Sequence, residues 1–213
     1  MRALLRYHGG KFRLAPWIIS HFPPHRVYVE PFGGAANVLL QKERSYAEVY
    51  NDLDDEVVTL FRVLRDPVTA GALISLLRVT PFARVEYRSS FELSDDPVES
   101  SRRLIVRSLM GFGSNSINRM VSSGFRSNSN RSGTTPAHDW MNYPDALAGI
   151  IGRLSGVVIE HDDALSVVAR FDVPDCLFYV DPPYPHSTRT TAGKGYTHEM
   201  TDDEHRKLGG GIV

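Results

Sequence analysis

A run of four residues near the end of the sequence combines hydrogen-bond acceptors with an aromatic ring. It is Asp181-Pro182-Pro183-Tyr184, and it directly follows an apolar run over residues 176–180. The prolines have no backbone N–H, so the carboxylate of Asp181 and the carbonyl of Pro182 remain as acceptors. Two acceptors suit the exocyclic amino group of a nucleobase, because binding both hydrogens favours a tetrahedral nitrogen whose lone pair can attack a methyl sulfonium. Tyr184 would replace the stacking that a base loses when it leaves the duplex.

The simpler interpretation of these four residues is a rigid proline turn that ends a buried strand. Open α/β sheets bind their ligands at the carboxyl ends of strands, where this motif would lie. That position favours the chemical interpretation, and the motif therefore predicts a catalytic site formed by Asp181, Pro182, Pro183 and Tyr184.

Glycines follow the first predicted strand, which covers residues 27–30. The turn over residues 31–34 contains two of them, and glycines at such a place let the backbone approach a ligand closely. Asp52 lies about twenty residues further on, where an acidic residue binds ribose hydroxyls in nucleotide-binding folds. The turn is not a complete G-x-G-x-x-G motif, and an ordinary tight turn with a solvated aspartate is the alternative.

A second glycine turn, Tyr7-His8-Gly9-Gly10-Lys11, precedes the first strand. Two glycines before a lysine can seat its ammonium group against a carboxylate or a phosphate. The alternative is a plain turn with a solvated lysine.

The order of the predicted elements indicates an α/β fold. Helices are predicted over residues 35–42, 101–109, 143–154 and 165–170 and from Asp54 onward, and strands at residues 27–30, 47–50, 157–160 and 176–180. Strand, glycine turn, helix and strand in succession are typical of a βαβ unit in a parallel sheet. Residues 111–136, rich in Ser, Asn, Gly and Arg, indicate a long loop. We therefore predict a discontinuous core domain, residues 1–75 and 145–213, with an insertion over residues 76–144.

The composition excludes several classes of protein. The 213 residues carry a net charge of -1, and 42% are hydrophobic, enough for a buried core. Cys176 is the only cysteine, which excludes an internal disulfide and a multi-cysteine zinc site. No apolar run approaches the roughly 18 residues of a membrane span, and the first residues lack the apolar core of a signal peptide. We expect a soluble, cytoplasmic protein.

Positive charge is concentrated in the predicted insertion. Residues 101–135 contain no Asp or Glu and six arginines, which are Arg102, Arg103, Arg107, Arg119, Arg126 and Arg131. Phosphate contact is the natural use of such a stretch. Polar side chains that would contact phosphates or base edges are Ser114, Asn115, Asn118, Asn128 and Asn130. The stretch favours a surface for nucleic acid, with a solvated, flexible loop as the alternative.

Together these motifs give the sequence a resemblance, over residues 7 to 208, to the Dam-type (D12 class) adenine-specific DNA methyltransferases. That class carries an aromatic-x-Gly-Gly-Lys segment, a Glu-Pro-Phe-x-Gly turn, an Asn-Asp pair, an acidic residue after the third strand and a D-P-P-Y motif, in this order. The matching residues are Tyr7, Gly9, Gly10 and Lys11; Glu30, Pro31, Phe32, Gly33 and Gly34; Asn51 and Asp52; Asp163, or less favourably Asp162; and residues 181–184. The segment that follows the catalytic loop in the class is resembled by Gly195, Tyr196, Thr197, Met200 and His205.

The resemblance implies methyl transfer from S-adenosylmethionine to the amino group of adenine in DNA. It implies that Lys11 meets the carboxylate of the cofactor, Asp52 its ribose and Asp163 its adenine. It also implies that the target-recognition region is the basic insertion, and it implies no metal.

Other activities stay open. A methyltransferase of the cytosine amino group usually has Ser in place of Asp181, and protein-glutamine methyltransferases have Asn there and lack a basic insertion. A DNA-binding protein that kept the motifs but lost turnover is a further alternative.

The expected architecture is a three-layer, Rossmann-like methyltransferase core with a helical and loop-rich DNA-recognition insertion. In the resembled class the core continues through about three more strands after the D-P-P-Y motif, so the sequence is expected to be C-terminally truncated. The strand before Asp181 would then be an edge strand, and these 213 residues alone are expected to be poorly soluble and slow in methyl transfer.

Overall fold

The computed structural model describes residues 2–120, 123–127, 133–184 and 198–211. Within these residues a four-stranded sheet forms the centre of the fold. Its strands are β1 (Val27–Glu30), β2 (Ala47–Asn51), β3 (Val157–Glu160) and β4 (Cys176–Phe178), in the order β3-β2-β1-β4. All three pairings are parallel, as the βαβ pattern predicted. The four predicted strands are confirmed, and β4 is two residues shorter than its apolar run.

Helices cover the sheet, and most of the predicted ones are confirmed. They are α1 (Ala15–Ile19), α2 (Asp55–Arg65), α3 (Pro67–Val79), α4 (Arg84–Ser89), α5 (Pro97–Met110), α6 (Pro136–Met141), α7 (Tyr143–Leu154), α8 (Ala164–Phe171) and α9 (Asp202–Gly211), with a 3-10 turn at Ser114–Ile117. α7 has the predicted bounds, and α5 and α8 extend the predicted helices 101–109 and 165–170. The mixed α/β architecture is that of a Rossmann-like methyltransferase core. Within the described residues, no helix has both the length and the apolar composition that crossing a membrane requires.

The prediction of a helix over residues 35–42 is wrong. The segment is buried, as its apolar residues indicate, but it runs through consecutive turns. Ala36 has a φ of 50°, which a right-handed helix does not allow. The N–H of Leu39 donates to the carboxylate of Glu30 at 2.6 Å instead of joining a helical ladder. A buried carboxylate on β1 therefore outcompetes the local helical preference.

The predicted insertion packs on the same core as the sheet. Leu60 and Phe61 of α2, Leu104 and Ile105 of α5 and Leu147 of α7 belong to one buried apolar cluster. The division into a core domain and an insertion stays a prediction, since the helices on both sides of residue 76 share this cluster.

Candidate active site

A cavity of about 350 Å³ opens at the carboxyl ends of the parallel strands. β1 and β4 are neighbours there although they are far apart in sequence, so the strand order reverses between them. Open α/β sheets bind ligands at such a reversal. The cavity is lined by Tyr7, Gly10, Lys11, Glu30, Pro31, Phe32, Gly33, Gly34, Asp52 and Asp163, the ten residues predicted to contact a cofactor, and by Asp181 and Pro183 of the predicted catalytic motif. The structure thus brings the two groups of predicted residues together, and their roles stay predictions.

Lys11 connects the segment before α1 to the D-P-P-Y motif. Its Nζ donates to Oδ1 and Oδ2 of Asp181 at 2.8 and 2.7 Å and to the carbonyl of Gly9 at 2.8 Å. Burial alone would lower the pKa of Lys11, but the bond to Asp181 outweighs it and the pKa is raised, so the ammonium stays charged. The same ammonium lies 5.4 Å from the ring centre of Tyr184. Lys11 therefore orients Asp181; the sequence predicted a carboxylate or a phosphate against this ammonium group, but did not identify Asp181 as the partner.

Glu30 shapes the turn after β1. Its Oε1 accepts hydrogen bonds from the hydroxyl of Tyr28 and the N–H of Leu39, both at 2.6 Å. Burial raises the pKa of Glu30 to about 7, against the lowering effect of these two donors. The carboxylate holds the start and the end of the turn together, so the path of the backbone along the cavity depends on it.

The two glycines of the turn make room for aromatic rings of the protein itself. A Cβ on Gly33 would lie 2.1 Å from the ring of Tyr50, and one on Gly34 would lie 2.9 Å from the ring of Tyr7. Gly34 also has a φ of 48°, in the left-handed region, and its carbonyl accepts the hydroxyl of Tyr50 at 2.7 Å. We expected these glycines to admit a ligand, and the structure adds a second reason for them.

Asp52 and Asp54 join the glycine turn to the start of α2. The carboxylate of Asp52 accepts the N–H of Gly34 at 2.7 Å and the N–H of Asp54 at 2.9 Å. Asp54 caps α2 by accepting the N–H groups of Glu56 and Val57. Burial raises the pKa of Asp52 although both backbone donors oppose this shift. The position of Asp52 at the cavity is therefore fixed before any ligand binds.

Asp163, rather than Asp162, faces the cavity. It caps α8, with its Oδ1 accepting the N–H groups of Leu165 and Ser166 at 3.0 and 3.1 Å. Asp162 instead pairs with Arg170 at 2.7 Å and does not line the cavity. The preference for Asp163 thus agrees with the geometry.

Helix α9 and the residues before it form a wall that the motifs did not predict. The lining residues from this part are His198, Glu199, Met200, Glu204, Lys207 and Leu208. Asn37, Asp54 and Leu165 line other parts of the cavity and were also not predicted. Only the resemblance at Met200 pointed to this wall, and His205 of the same segment does not line the cavity. Gly195, Tyr196 and Thr197 lie outside the described residues.

Two of the arginines predicted to bind DNA have structural roles, which corrects the prediction for them. Arg107 is fully buried and donates to the carbonyls of Ser90 and Ile117 and to Glu56. Arg102 is largely buried, where it pairs with carboxylates of α4 and α5. Neither guanidinium is available to a phosphate.

The remaining basic residues of the stretch are less exposed than a solvated loop would leave them. Arg103 pairs with Glu99 at 2.6 Å, and Arg119 binds both carboxylate oxygens of Glu56. Arg126 lies 3.9 Å from Asp139. Asn118 is buried and caps the N–H of Met120. Arg131, Asn128 and Asn130 lie outside the described residues.

Comparison with known proteins gives the same family as the motifs. The family model of the D12 class N6 adenine-specific DNA methyltransferase matches residues 7–212. The DNA adenine methylase of Escherichia coli (strain K12) is 32% identical over 101 residues, which cover 45% of this chain and 36% of that protein. The DNA adenine methylase of Salmonella typhi is 30% identical over 101 residues, again 36% of its length. That of Haemophilus influenzae is 27% identical over 206 residues, 92% of this chain and 68% of that protein. The chain belongs to the D12 class of N6 adenine-specific DNA methyltransferases.

Proposed function

We propose that the protein transfers a methyl group from S-adenosylmethionine to the exocyclic amino group of adenine in double-stranded DNA. The observation that carries this proposal is the shared cavity: Asp181 and the turn after β1 line it together, at the reversal of strand order. Family membership supports adenine as the base, and Asp at position 181 is the residue expected for it.

The chemistry of the cavity wall fits a cationic cofactor. The acidic side chains of Glu30, Asp52, Asp54, Asp163, Asp181, Glu199 and Glu204 line it, against the amino groups of Lys11 and Lys207. Such a wall suits a ligand with positive charge and with hydroxyl and amino donors. The volume lies at the lower end of the roughly 300–1,000 Å³ of small-molecule sites. When bound, S-adenosylmethionine supplies an electrophilic methyl group, with Asp52 on its ribose and Asp163 on its adenine.

The D-P-P-Y motif would bind the amino group that receives the methyl. A carboxylate offers about four lone-pair positions, and Lys11 occupies one on each oxygen of Asp181, so acceptor capacity remains. With the Pro182 carbonyl as second acceptor, the nitrogen lone pair is directed away from the ring. Methyl transfer would form a nitrogen–carbon bond as the carbon–sulfur bond of the donor breaks and its electron pair stays on sulfur, and Asp181 would accept the proton that the nitrogen then releases. Tyr184, about half exposed and near the ammonium of Lys11, would offer a ring for the base to stack on.

A nucleoside analysis tests this function directly. The purified protein is incubated with duplex DNA and methyl-labelled S-adenosylmethionine, and the DNA is digested to nucleosides. We expect the label in N6-methyladenine. Label in N4-methylcytosine would select the cytosine enzyme, and binding of DNA and cofactor without incorporation would select a protein that has lost turnover.

Replacement of Asp52 is expected to weaken cofactor binding. Asp52→Ala removes acceptors for the ribose hydroxyls, at a cost of about 1–3 kcal/mol for a lost charged hydrogen bond. Titration calorimetry with S-adenosylhomocysteine, the unreactive product, measures this cost. The matched control is Asp162→Ala, which removes a nearby carboxylate that does not line the cavity. Equal affinities in the two variants would contradict the role of Asp52.

Lys11→Ala in the same series tests the predicted contact of Lys11 with the cofactor carboxylate. Lys11 already pairs with Asp181, so weaker binding of S-adenosylhomocysteine by this variant would support a contact of its ammonium with the cofactor as well.

A further inference from the structure

The first 29 residues carry positive charge without any compensating acid. They contain five Lys or Arg and three His but no Asp or Glu, in a chain that has 24 basic and 25 acidic side chains in total. The sequence prediction of DNA contact relied on the denser run of arginines at residues 101–135 and did not include the N-terminal residues. Since most of the described arginines of that run have carboxylate partners, the N-terminal charge gains importance as a candidate for DNA contact.

Helix α1 presents part of this charge at the surface. Arg13, Trp17 and His21 follow one another at intervals of four residues, and all three are exposed, as is Leu14. The rings of Trp17 and His21 lie 4.4 Å apart, and Arg13 and Leu14 come directly before the first residue of the helix. We call the surface of Arg13, Leu14, Trp17 and His21 the α1 face.

Arg13 differs from the arginines of the insertion in having no fixed partner. Its side chain makes no hydrogen bond or ion pair with any residue that the structure describes. Trp17 is 65% exposed, and Leu14, three residues earlier, is 54% exposed; exposed apolar side chains that lie together mark interaction sites. An exposed cation without a carboxylate partner among the described residues, four positions before an exposed aromatic residue, is a combination suited to backbone contacts with nucleic acid.

The α1 face lies next to the predicted catalytic residues along the chain. The N–H groups of Leu14 and Ala15 donate to the carbonyl of Lys11 at 2.9 and 2.7 Å, and Lys11 binds Asp181. Arg13 is therefore within one turn of the residue that orients the D-P-P-Y motif. We therefore expect a strand whose base enters the cavity beside Lys11 to run past the start of α1.

We propose that the α1 face binds the sugar-phosphate backbone of the DNA beside the target adenine, with Arg13 on a phosphate and Trp17 against the sugar or an unstacked base. This inference rests on the proposed function, which supplies DNA as the partner. It adds a second DNA contact, outside the basic insertion.

Salt dependence of DNA binding tests the contact of Arg13. The affinity of the purified protein for a fluorescein-labelled duplex is measured by anisotropy at several salt concentrations. Arg13→Ala should weaken binding and lower the slope of log K against log salt by about one, the effect of one lost phosphate contact. Arg62→Ala on α2 is the matched control, because Arg62 is also exposed and its side chain makes no hydrogen bond or ion pair with a described residue. Both are surface changes, so folding is not at issue.

The two tryptophans provide an independent measurement. Trp140 is buried, so acrylamide quenching of the fluorescence reports mainly on Trp17, and Trp17→Phe identifies its share. Saturating duplex should remove most of the acrylamide access to Trp17. An unaltered slope in Arg13→Ala with unaltered quenching would overturn the inference, as would protection of Trp17 by rising protein concentration alone, which would show that a second copy covers the face.

The outcome for this inference is separable from that for the proposed function. If the wild-type protein methylates adenine while Arg13→Ala behaves as Arg62→Ala, only the inference fails. If the wild-type protein binds no duplex, the proposed function fails with it.

Discussion

Asp181→Ala is expected to lower the rate of methyl transfer to DNA by about 10²–10³-fold, the effect of removing one preorganised polar group that acts in the transition state. The variant loses the acceptor for the target amino group and also leaves the ammonium of Lys11 without its partner. Single-turnover incorporation of labelled methyl groups into duplex DNA measures the rate. Calorimetry with S-adenosylhomocysteine should show cofactor binding largely intact, which separates a chemical defect from a collapsed cavity.

Two further variants sharpen this experiment. Asp181→Asn keeps the size of the side chain and one acceptor oxygen, so recovery in this variant would show that the charge is dispensable. Asp172→Ala removes an exposed carboxylate that precedes the first residue of β4, whereas Asp181 follows its last residue. This variant should leave the rate unchanged. A rate for Asp181→Ala close to that of Asp172→Ala would remove Asp181 from the mechanism.

The sequence predicted the parts of the site that come immediately after a strand along the chain. An apolar or β-branched run that ends in Asp181, or in a glycine turn, can be recognised locally, and the carboxyl ends of parallel strands meet at one edge of a sheet. For this reason the predicted cofactor residues that end or follow β1, β2 and β3 came together with Asp181 around a single cavity, whereas Tyr7, Gly10 and Lys11 precede β1 and were identified through the resemblance. The neighbourhood of β1 and β4 was not predictable in this way, because it depends on the strand order.

The errors arose where partners are distant in sequence. The arginines of residues 101–135 seemed free because that window has no acid, yet Glu56 and Glu86 lie before it and hold three of them. Likewise Glu30 removes the N–H of Leu39 from the helix that local spacing favoured. A count of charges or a helical period within a window contains no information about hydrogen bonds to residues outside that window.

Replacement of Glu48 is expected to lower the free energy of unfolding more than replacement of any exposed charged residue. Glu48 is buried on β2, where its carboxylate binds Lys42 at 2.8 Å and Arg153 of α7 at 2.6 and 2.8 Å. Burial alone would raise the pKa of Glu48, but its two cationic partners hold that pKa below the usual value. Glu48→Ala leaves two buried cations side by side without a counter-charge. Breaking a buried pair in this way lowers the free energy of unfolding by about 3–5 kcal/mol.

Urea unfolding followed by circular dichroism measures this loss as a lower midpoint with an unchanged slope. The control is Asp145→Ala, which breaks an ion pair of the same length, 2.8 Å to Arg78, between two largely exposed side chains, and should change the midpoint little. A triple variant, Lys42→Met with Glu48→Leu and Arg153→Leu, removes all three charges and should recover most of the stability, because the cost comes from unpaired charge rather than from the lost pair. If Glu48→Ala unfolds at the same urea concentration as Asp145→Ala, water reaches Lys42 and Arg153, and the three side chains contribute no more than a surface network would.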